Sequence, residues 1–393
     1  MGKDLSVIIV NYNVSAFLKL CLFSVRKASG SLDVEVFVVD NASEDDSMEM
    51  VKREFPEVRL IENKENVGFS KANNQAIDLA TGRIMLILNP DTIIPEYTFT
   101  RLLQFYDEHP DAAGVGIKMI DGTGKYLPES KRGLPSTRDF VYRFSGLSKF
   151  FPRSKIFSRY YAGHLSSDKT WVVQVLAGAF IAFPSKITDK TGALDEDFFM
   201  YGEDIDFSYR LSFEGNNYYY PEITIIHFKG ESTVRDKDYI NRFYGAMLIF
   251  TKKHFFTKYN RVQKKMISFF IKLIISFMKF TLIFHKKKKT DKEVLSDSHI
   301  YIGSEKGYDI LRNAGWHKKI LRVSSFDEID TSEISKKNVR TGMIVDTGYV
   351  RISELVEFMK DNSDEFVYSF MSHDHSFCLT SAGADSTGQI KYF

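Results

Sequence analysis

Ile84-Met85-Leu86-Ile87-Leu88 constrains this chain more than any other stretch. Five consecutive apolar residues fit a strand buried on both faces of a sheet, and such strands belong to parallel sheets with helices packed on each side. Asn89-Pro90-Asp91 ends the run, because Pro90 has no N–H for a central ladder and the chain must turn. A carboxylate at the carboxyl end of a buried parallel strand lies where open α/β sheets bind ligands. Alone, the tripeptide reads more readily as a plain strand-ending turn, so the surrounding elements must decide.

Those elements alternate. Residues 5–10 (LSVIIV), 34–39 (VEVFVV) and 58–61 read as strands. Ser15 opens a segment of helical spacing, and Ser43 opens a helix over 44–55 with acids in its first turn. Asn66-Val67-Gly68-Phe69 turns into a helix over 70–80 that stops at Thr81-Gly82. This rhythm predicts a right-handed, mainly parallel α/β sheet. A helix over 95–107 and a short strand over 113–117 follow. Residues 119–169 are loop-rich, punctuated by Gly122, Gly124, Pro128, Pro135 and Pro152, with room for an acceptor-binding insertion. Residues 172–183 are strand-like around a break at Gly178. The stretch 195–206 (DEDFFMYGEDID) is dense in acids and aromatics. A short helix through Phe213, a stop at Gly215 and two strand-like runs, 218–220 and 223–228, complete this half.

With 53 basic and 51 acidic residues and a net charge of +2, the chain gives no electrostatic case for nucleic acid. Cys21 and Cys378 stand far apart in no metal spacing, as expected in a reducing compartment without a disulfide framework. The N-terminus runs into a strand without the regions of a signal peptide, which predicts a protein that stays on the cytoplasmic side.

Three acidic positions fall at strand exits: Asp40, Asp91 and the pair Glu203-Asp204, with His227 closing the last strand of this half. Sugar transfer from a nucleotide donor needs such a set: base recognition, a divalent cation on the leaving diphosphate and a carboxylate to accept the hydroxyl proton. Diphosphate oxygens supply much of the coordination of a hard cation, so an aspartate and a histidine suffice from the protein.

The motifs VIIVNYN, VVDNASEDDS, ENVGFSKANNQAI, LNPDT, FFMYGEDIDFSYR and IIHFKGES, in that order over residues 4–232, resemble those of inverting family 2 glycosyltransferases. They are most similar to the rhamnosyltransferase-like branch, which has the GT-A fold. The resemblance implies that Asp40 binds the donor base, with Asn11, Tyr12, Asn13 and Asn41 around it. Gly68, Lys71 and Asn73 would line the nucleotide. Asp91 would be the metal-bound last acid of a DxD motif whose first acid is here Asn89, with Mg or Mn as the cation. Asp204 would be the general base and Glu203 its neighbour near acceptor or metal, while His227 would close over metal and diphosphate. Trp171 and residues 178–180 would form the acceptor-side strand. The implied donor is a dTDP- or UDP-sugar, and the implied acceptor a lipid-linked species or glycan.

Plainer readings stand beside these. Asp40 also fits a helix-start acid, and Asp206 is read as a solvated acid at a helix N-terminus. His227 fits a satisfied core histidine, and Phe198, Phe199 and Tyr201 fit the core as well as a sugar platform. A nucleotidyltransferase would show a glycine- and basic-rich phosphate loop after the first strand, which Asn11-Tyr12-Asn13 is not. A catalytically silent scaffold of a polysaccharide assembly is the alternative from another class.

Lys258, Lys265, Lys272, Lys279 and Lys286 recur every seven residues, with Ser268 and Ser276 on the same helical face. The rest of 266–284 is almost wholly apolar. An interfacial helix is the expectation, drawn to anionic lipid by Lys286 to Lys289, against a packed helix or a membrane span. Two mid-segment lysines weigh against the span. The expected organisation is therefore a catalytic domain over 1–255, a basic amphipathic linker over 256–292 and a small Rossmann-like α/β domain over 293–393, with the whole peripheral to the inner membrane. That last part resembles the tail of some bacterial family 2 transferases and a segment of polyprenyl-linked sugar-phosphate transferases. It has no GxGxxG, so no nucleotide is assigned to it, and His373-Asp374-His375 is read as a polar loop.

Overall fold

The computed structural model describes residues 2–135, 142, 147–151, 153–229, 237–256, 260–284, 295–315, 319–331, 340–363, 365–381, 383 and 388–393. Strands β1 (Leu5–Asn11), β2 (Val34–Asp40), β3 (Arg59–Glu62) and β4 (Ile84–Leu88) are parallel, in the order β3-β2-β1-β4. Helices α1 (Ser15–Ser29), α2 (Ser47–Glu54) and α3 (Phe69–Ile77) connect them. Every residue of β1 and β4 is buried, as the continuous apolar runs predict.

Beyond β4 the sheet becomes mixed. It takes in β5 (Thr92–Ile93), β6 (Ala112–Ile120), β7 (Trp171–Val172), β8 (Phe180–Pro184) and β9 (Asn216–His227), with α4 (Thr98–Glu108) and α5 (Glu203–Leu211) packed beside it. β8 runs antiparallel between β4 and β6, β9 runs parallel to β6, and β5 and β7 pair antiparallel with β9. The runs at 218–220 and 223–228 form one strand. Its pairing with β6 jumps from Tyr220–Ile117 to Thr224–Lys118, so Pro221 sits in a bulge where no ladder donor is required.

Helices α6 (Lys237–His254) and α7 (Arg261–Phe284) follow. Lys258 and the lysines at 286–289 lie outside the described residues. No helix among the described residues is long and apolar enough to cross a membrane. Asp206 differs from its sequence reading. It is 0% exposed, pairs with Arg210 at 2.7 Å and meets His254 Nε2 at 2.6 Å. Rather than meeting water, it ties α5 to α6.

A second sheet comprises β10 (Leu295–Ile302), β11 (Lys319–Val323), β12 (Arg340–Asp346), β13 (Phe366–Met371), β14 (Phe377–Thr380) and β15 (Gln389–Tyr392), with α8 (Glu305–Asn313) and α9 (Ile352–Asp361). Its order is β11-β10-β12-β13-β14-β15, and the first four strands are parallel. The crevice at the strand ends is filled by the protein itself. Asp346, 1% exposed, accepts from Tyr301 Oη at 3.1 Å and Ser304 Oγ at 3.0 Å and faces His375 Nε2 at 2.9 Å.

The two sheets share apolar packing. Val14, Phe17, Leu20, Ile93, Ile226 and Phe228 lie in one buried cluster with Val356, Met359, Phe366 and Phe370. Phe228 stands edge-on to Phe17 at 5.3 Å and to Phe370 at 5.0 Å. Polar contacts flank this cluster. Lys19 Nζ reaches Asp374 at 2.6 Å and Glu54 at 2.8 Å. Glu96 accepts the N–H groups of Ile352 (2.7 Å) and Ser353 (3.1 Å), capping α9. The His373-Asp374-His375 segment belongs to these contacts: His373 stacks on Phe23 at 4.1 Å and Asp374 holds Lys19.

Candidate active site

A cavity of about 440 Å³ opens at the end of β4. It is lined by Tyr12, Asn41, Gly68, Asn89, Asp91, Glu203, Asp204 and His227, residues drawn from six separate parts of the chain. Five positions assigned to the donor side from the sequence stand outside the lining. Asn11 (0% exposed) and Asp40 (3%) are buried behind it. Asp40 accepts from Asn11 Nδ2 (2.9 Å), Ser43 N–H (2.8 Å) and Ser43 Oγ (2.6 Å). Ser43 Oγ in turn accepts from the Asn13 N–H at 2.9 Å and Asn11 Nδ2 at 3.1 Å, so it closes this loop instead of capping α2, which starts only at Ser47. Asn13, at φ 55°, accepts the Glu44 N–H at 2.7 Å. Lys71 is exposed on α3, and Asn73 is buried, donating to the Phe69 carbonyl at 2.8 Å.

Asp91 and His227 meet because β5, immediately after the Asn-Pro-Asp turn, pairs with the end of β9, with Thr92 opposite His227. His227 Nε2 lies 3.3 Å from Asp91 Oδ1 and 3.5 Å from the Asn89 side-chain amide. Asp91 is 5% and His227 7% exposed. One oxygen and one nitrogen donor this close can touch a single octahedral cation. Among the described residues no group of three or more His, Cys, Asp and Glu side chains could hold a metal, so further ligands would have to come from substrate.

The base side is organised by backbone. Tyr201 (φ 71°) and Gly202 (φ 84°) put two successive residues in the left-handed region just before α5, and such strain gathers at functional sites. Asp204 is held from three directions. Arg132 Nη2 forms an ion pair with its Oδ2, the Gly178 N–H donates to the same oxygen at 3.2 Å, and the Ile205 N–H donates to Oδ1 at 2.8 Å. A Cβ at Gly178 would stand 3.3 Å from Asp204 Cβ, so a side chain there would push Asp204 back by a few tenths of an ångström. Burial works against the Arg132 charge, but Asp204 and Tyr160 outweigh it and hold the guanidinium charged. Glu203 is buried, and with the Asp204 carboxylate beside it, its pKa is pushed up to about 8. Glu203 thus keeps its proton at neutral pH.

Several lining residues escaped sequence reasoning. Arg132 sits in the loop-rich stretch, where no periodicity marks it. Burial would raise the Glu129 pKa, but its ion pair with Lys229 holds it below the usual range. Tyr239 and Arg242 enter from α6, and Arg242 lies 5.2 Å from the Phe199 ring centre. Of the three aromatics left open, Phe198 is core at 1% exposed, while Phe199 and Tyr201 line the cavity.

The chain is 28% identical over 249 residues to an N-acetylglucosaminyl-diphospho-decaprenol L-rhamnosyltransferase of Mycobacterium tuberculosis, covering 60% of this chain and 80% of that protein. It is 26% identical over 299 residues to the low-salt glycan biosynthesis hexosyltransferase Agl10 of Haloferax volcanii, covering 73% and 87%. A 136-residue stretch is 31% identical to the minor teichoic acid biosynthesis protein GgaB of Bacillus subtilis, covering 33% of this chain and 15% of that one. Residues 1–349 of S. aureus TarS superpose with a TM-score of 0.44 at 17% identity, covering 66% of this chain and 68% of that one. The mixed α/β sheet and these relatives define a glycosyltransferase. Residues 6–172 match the family model "Glycosyl transferase family 2".

Proposed function

We propose that the chain moves a sugar, with inversion, from a dTDP- or UDP-linked donor to a lipid-linked or cell-surface glycan acceptor on the cytoplasmic side of the inner membrane. One observation carries this reading: Asp91 with His227, and Asp204 with Arg132, line the same cavity. Rhamnose is the sugar favoured by the name of the mycobacterial relative.

In this reading the donor base lies toward Tyr12, Asn41 and Gly68. Asp40 lies behind this edge, its carboxylate bonded to Asn11 Nδ2, the Ser43 N–H and Ser43 Oγ, and so shapes the base side through that loop. Asp91 and His227 would hold Mg or Mn, which when bound neutralises charge on the leaving diphosphate. The acceptor hydroxyl oxygen attacks the anomeric carbon as the bond from that carbon to the diphosphate oxygen breaks, and Asp204 takes the hydroxyl proton. Arg132 and the Gly178 N–H hold Asp204 aimed until that transfer. Glu203, carrying its own proton, donates a hydrogen bond toward the acceptor.

The experiment pairs binding with turnover. A thermal-shift screen of nucleotide sugars with Mn identifies the donor, because a ligand that binds only the folded state raises its melting temperature. Asp204→Asn should lose about 10²–10⁴-fold in turnover and keep the donor-induced shift. Loss of both would remove Asp204 as the base, and the absence of a shift with every nucleotide sugar would remove the donor assignment.

A further inference from the structure

Helix α7 (Arg261–Phe284) is exceptional in what it leaves uncovered. None of its residues 261–279 is fully buried, and Val262, Met266, Phe269, Phe270, Leu273 and Phe277 are 47–66% exposed. At 3.6 residues per turn these six fall within about 100° of arc, one continuous apolar stripe along the helix. Ile267, Ile271, Ile274 and Met278 form the half-buried face beside it. Lys265, Lys272 and Lys279 align along the stripe's other edge, about 90–130° from its centre. The cations therefore flank the exposed apolar surface instead of standing opposite it.

We propose that α7 seats the enzyme on an anionic phospholipid bilayer, lying flat with this stripe among the acyl chains and the lysine row at the phosphate level. Charge decides between occupants. The helix contains no aspartate or glutamate, so a second copy of α7 brings no counter-charge to the lysine row, whereas an anionic lipid surface supplies one all along it. Between Lys264, Lys265 and Lys272 a recess also lined by Phe256, Ser268 and Phe269 offers ammonium groups beside aromatic rings, the chemistry of a lipid headgroup joining its acyl chains. The placement suits a lipid-linked acceptor. Helix α7 packs on α6, and α6 contributes Asp238, Tyr239 and Arg242 to the cavity lining, so the docked helix sits one element away from the cleft. Docking rests on the proposed acceptor only for its purpose, and vesicle binding is measured without substrate.

Flotation of the full chain with vesicles tests it. Vesicles of phosphatidylcholine with phosphatidylglycerol should carry the protein upward, and phosphatidylcholine alone should not. Lys265→Gln with Lys272→Gln should lower partitioning about thirtyfold, from roughly fivefold per lysine, and added salt should weaken the wild type in the same direction. Phe269→Ser with Phe277→Ser should abolish binding while leaving the nucleotide-sugar thermal shift intact, which shows that the fold survives. Equal flotation of wild type and both variants would overturn the proposal. So would a wild-type dimer by light scattering that Phe269→Ser with Phe277→Ser converts to monomer without any vesicle binding, since the stripe would then cover a second copy.

Discussion

Two adjacent carboxyl groups on α5 behave as opposites, and this sets the chemistry at the residue scale. Asp204 is held by a guanidinium and two N–H groups, whereas Glu203 is buried beside it. In the unfolded chain a glutamate ionises near 4.5, and in the fold Glu203 holds its proton up to about 8. Between those values folding takes up a proton, so this group makes stability fall as pH rises from about 4.5 to 8. Glu203→Gln cannot ionise and removes that slope. Its melting temperature relative to wild type should climb steadily across that window, and a flat difference would refute the assignment. Because an amide also donates a hydrogen bond, the same variant should keep turnover within about tenfold of wild type at pH 7, in contrast to Asp204→Asn. Asp40 and Asp91 were legible in the sequence because they follow strand ends, whereas Glu203 and Asp204, read as a strand exit, open α5 instead and were legible only by their motif. Arg132 was not, because the contact that matters spans 72 residues and leaves no local pattern.

The elements were read best where one signal dominated. Continuous apolar runs fixed β1 and β4, since nothing else explains such stretches between turns. Reading failed where a residue had two uses. The sequence reading divided β9 into runs over 218–220 and 223–228, yet a bulge carries the strand past Pro221 between them. Asp206 resembled a solvated N-terminal acid, yet it is the buried joint between α5 and α6 through Arg210 and His254. Breaking a buried charge pair from one side costs about 3–5 kcal/mol. Asp206→Ala should therefore destabilise the protein by roughly that amount in urea denaturation. A change under about 1 kcal/mol would mean that the joint bears little of the packing.

At the scale of the whole molecule the two sheets behave as one body. Phe17, Ile226 and Phe228 are buried against residues of the second sheet, and Lys19 is 5% exposed with partners on both sides of the boundary. Scanning calorimetry should show a single unfolding transition, and two well-separated peaks would contradict a shared core. Phe370→Ala, at a position 0% exposed, should cost about 3–5 kcal/mol. It should also weaken Mn-dependent donor binding, because Phe370 touches Phe228, the neighbour of His227. Unchanged donor affinity in a folded Phe370→Ala protein would confine the second sheet to a stabilising role. The alternation of strands and helices in the last hundred residues was legible. Its union with the catalytic sheet was not, because interdomain contacts between Lys19 and Asp374, or Glu96 and α9, have no sequence period.

His227 and Phe228 are successive residues at the end of β9, one lining the cavity and the other in the shared core. Side chains alternate along a strand, so losing one residue between the bulge and this end would exchange them, turning a phenyl ring toward the diphosphate and an imidazole into oil. Insertions elsewhere can be absorbed by loops; here the spelling of the strand, counted letter by letter, is what keeps a reactive surface and a structural one from trading places.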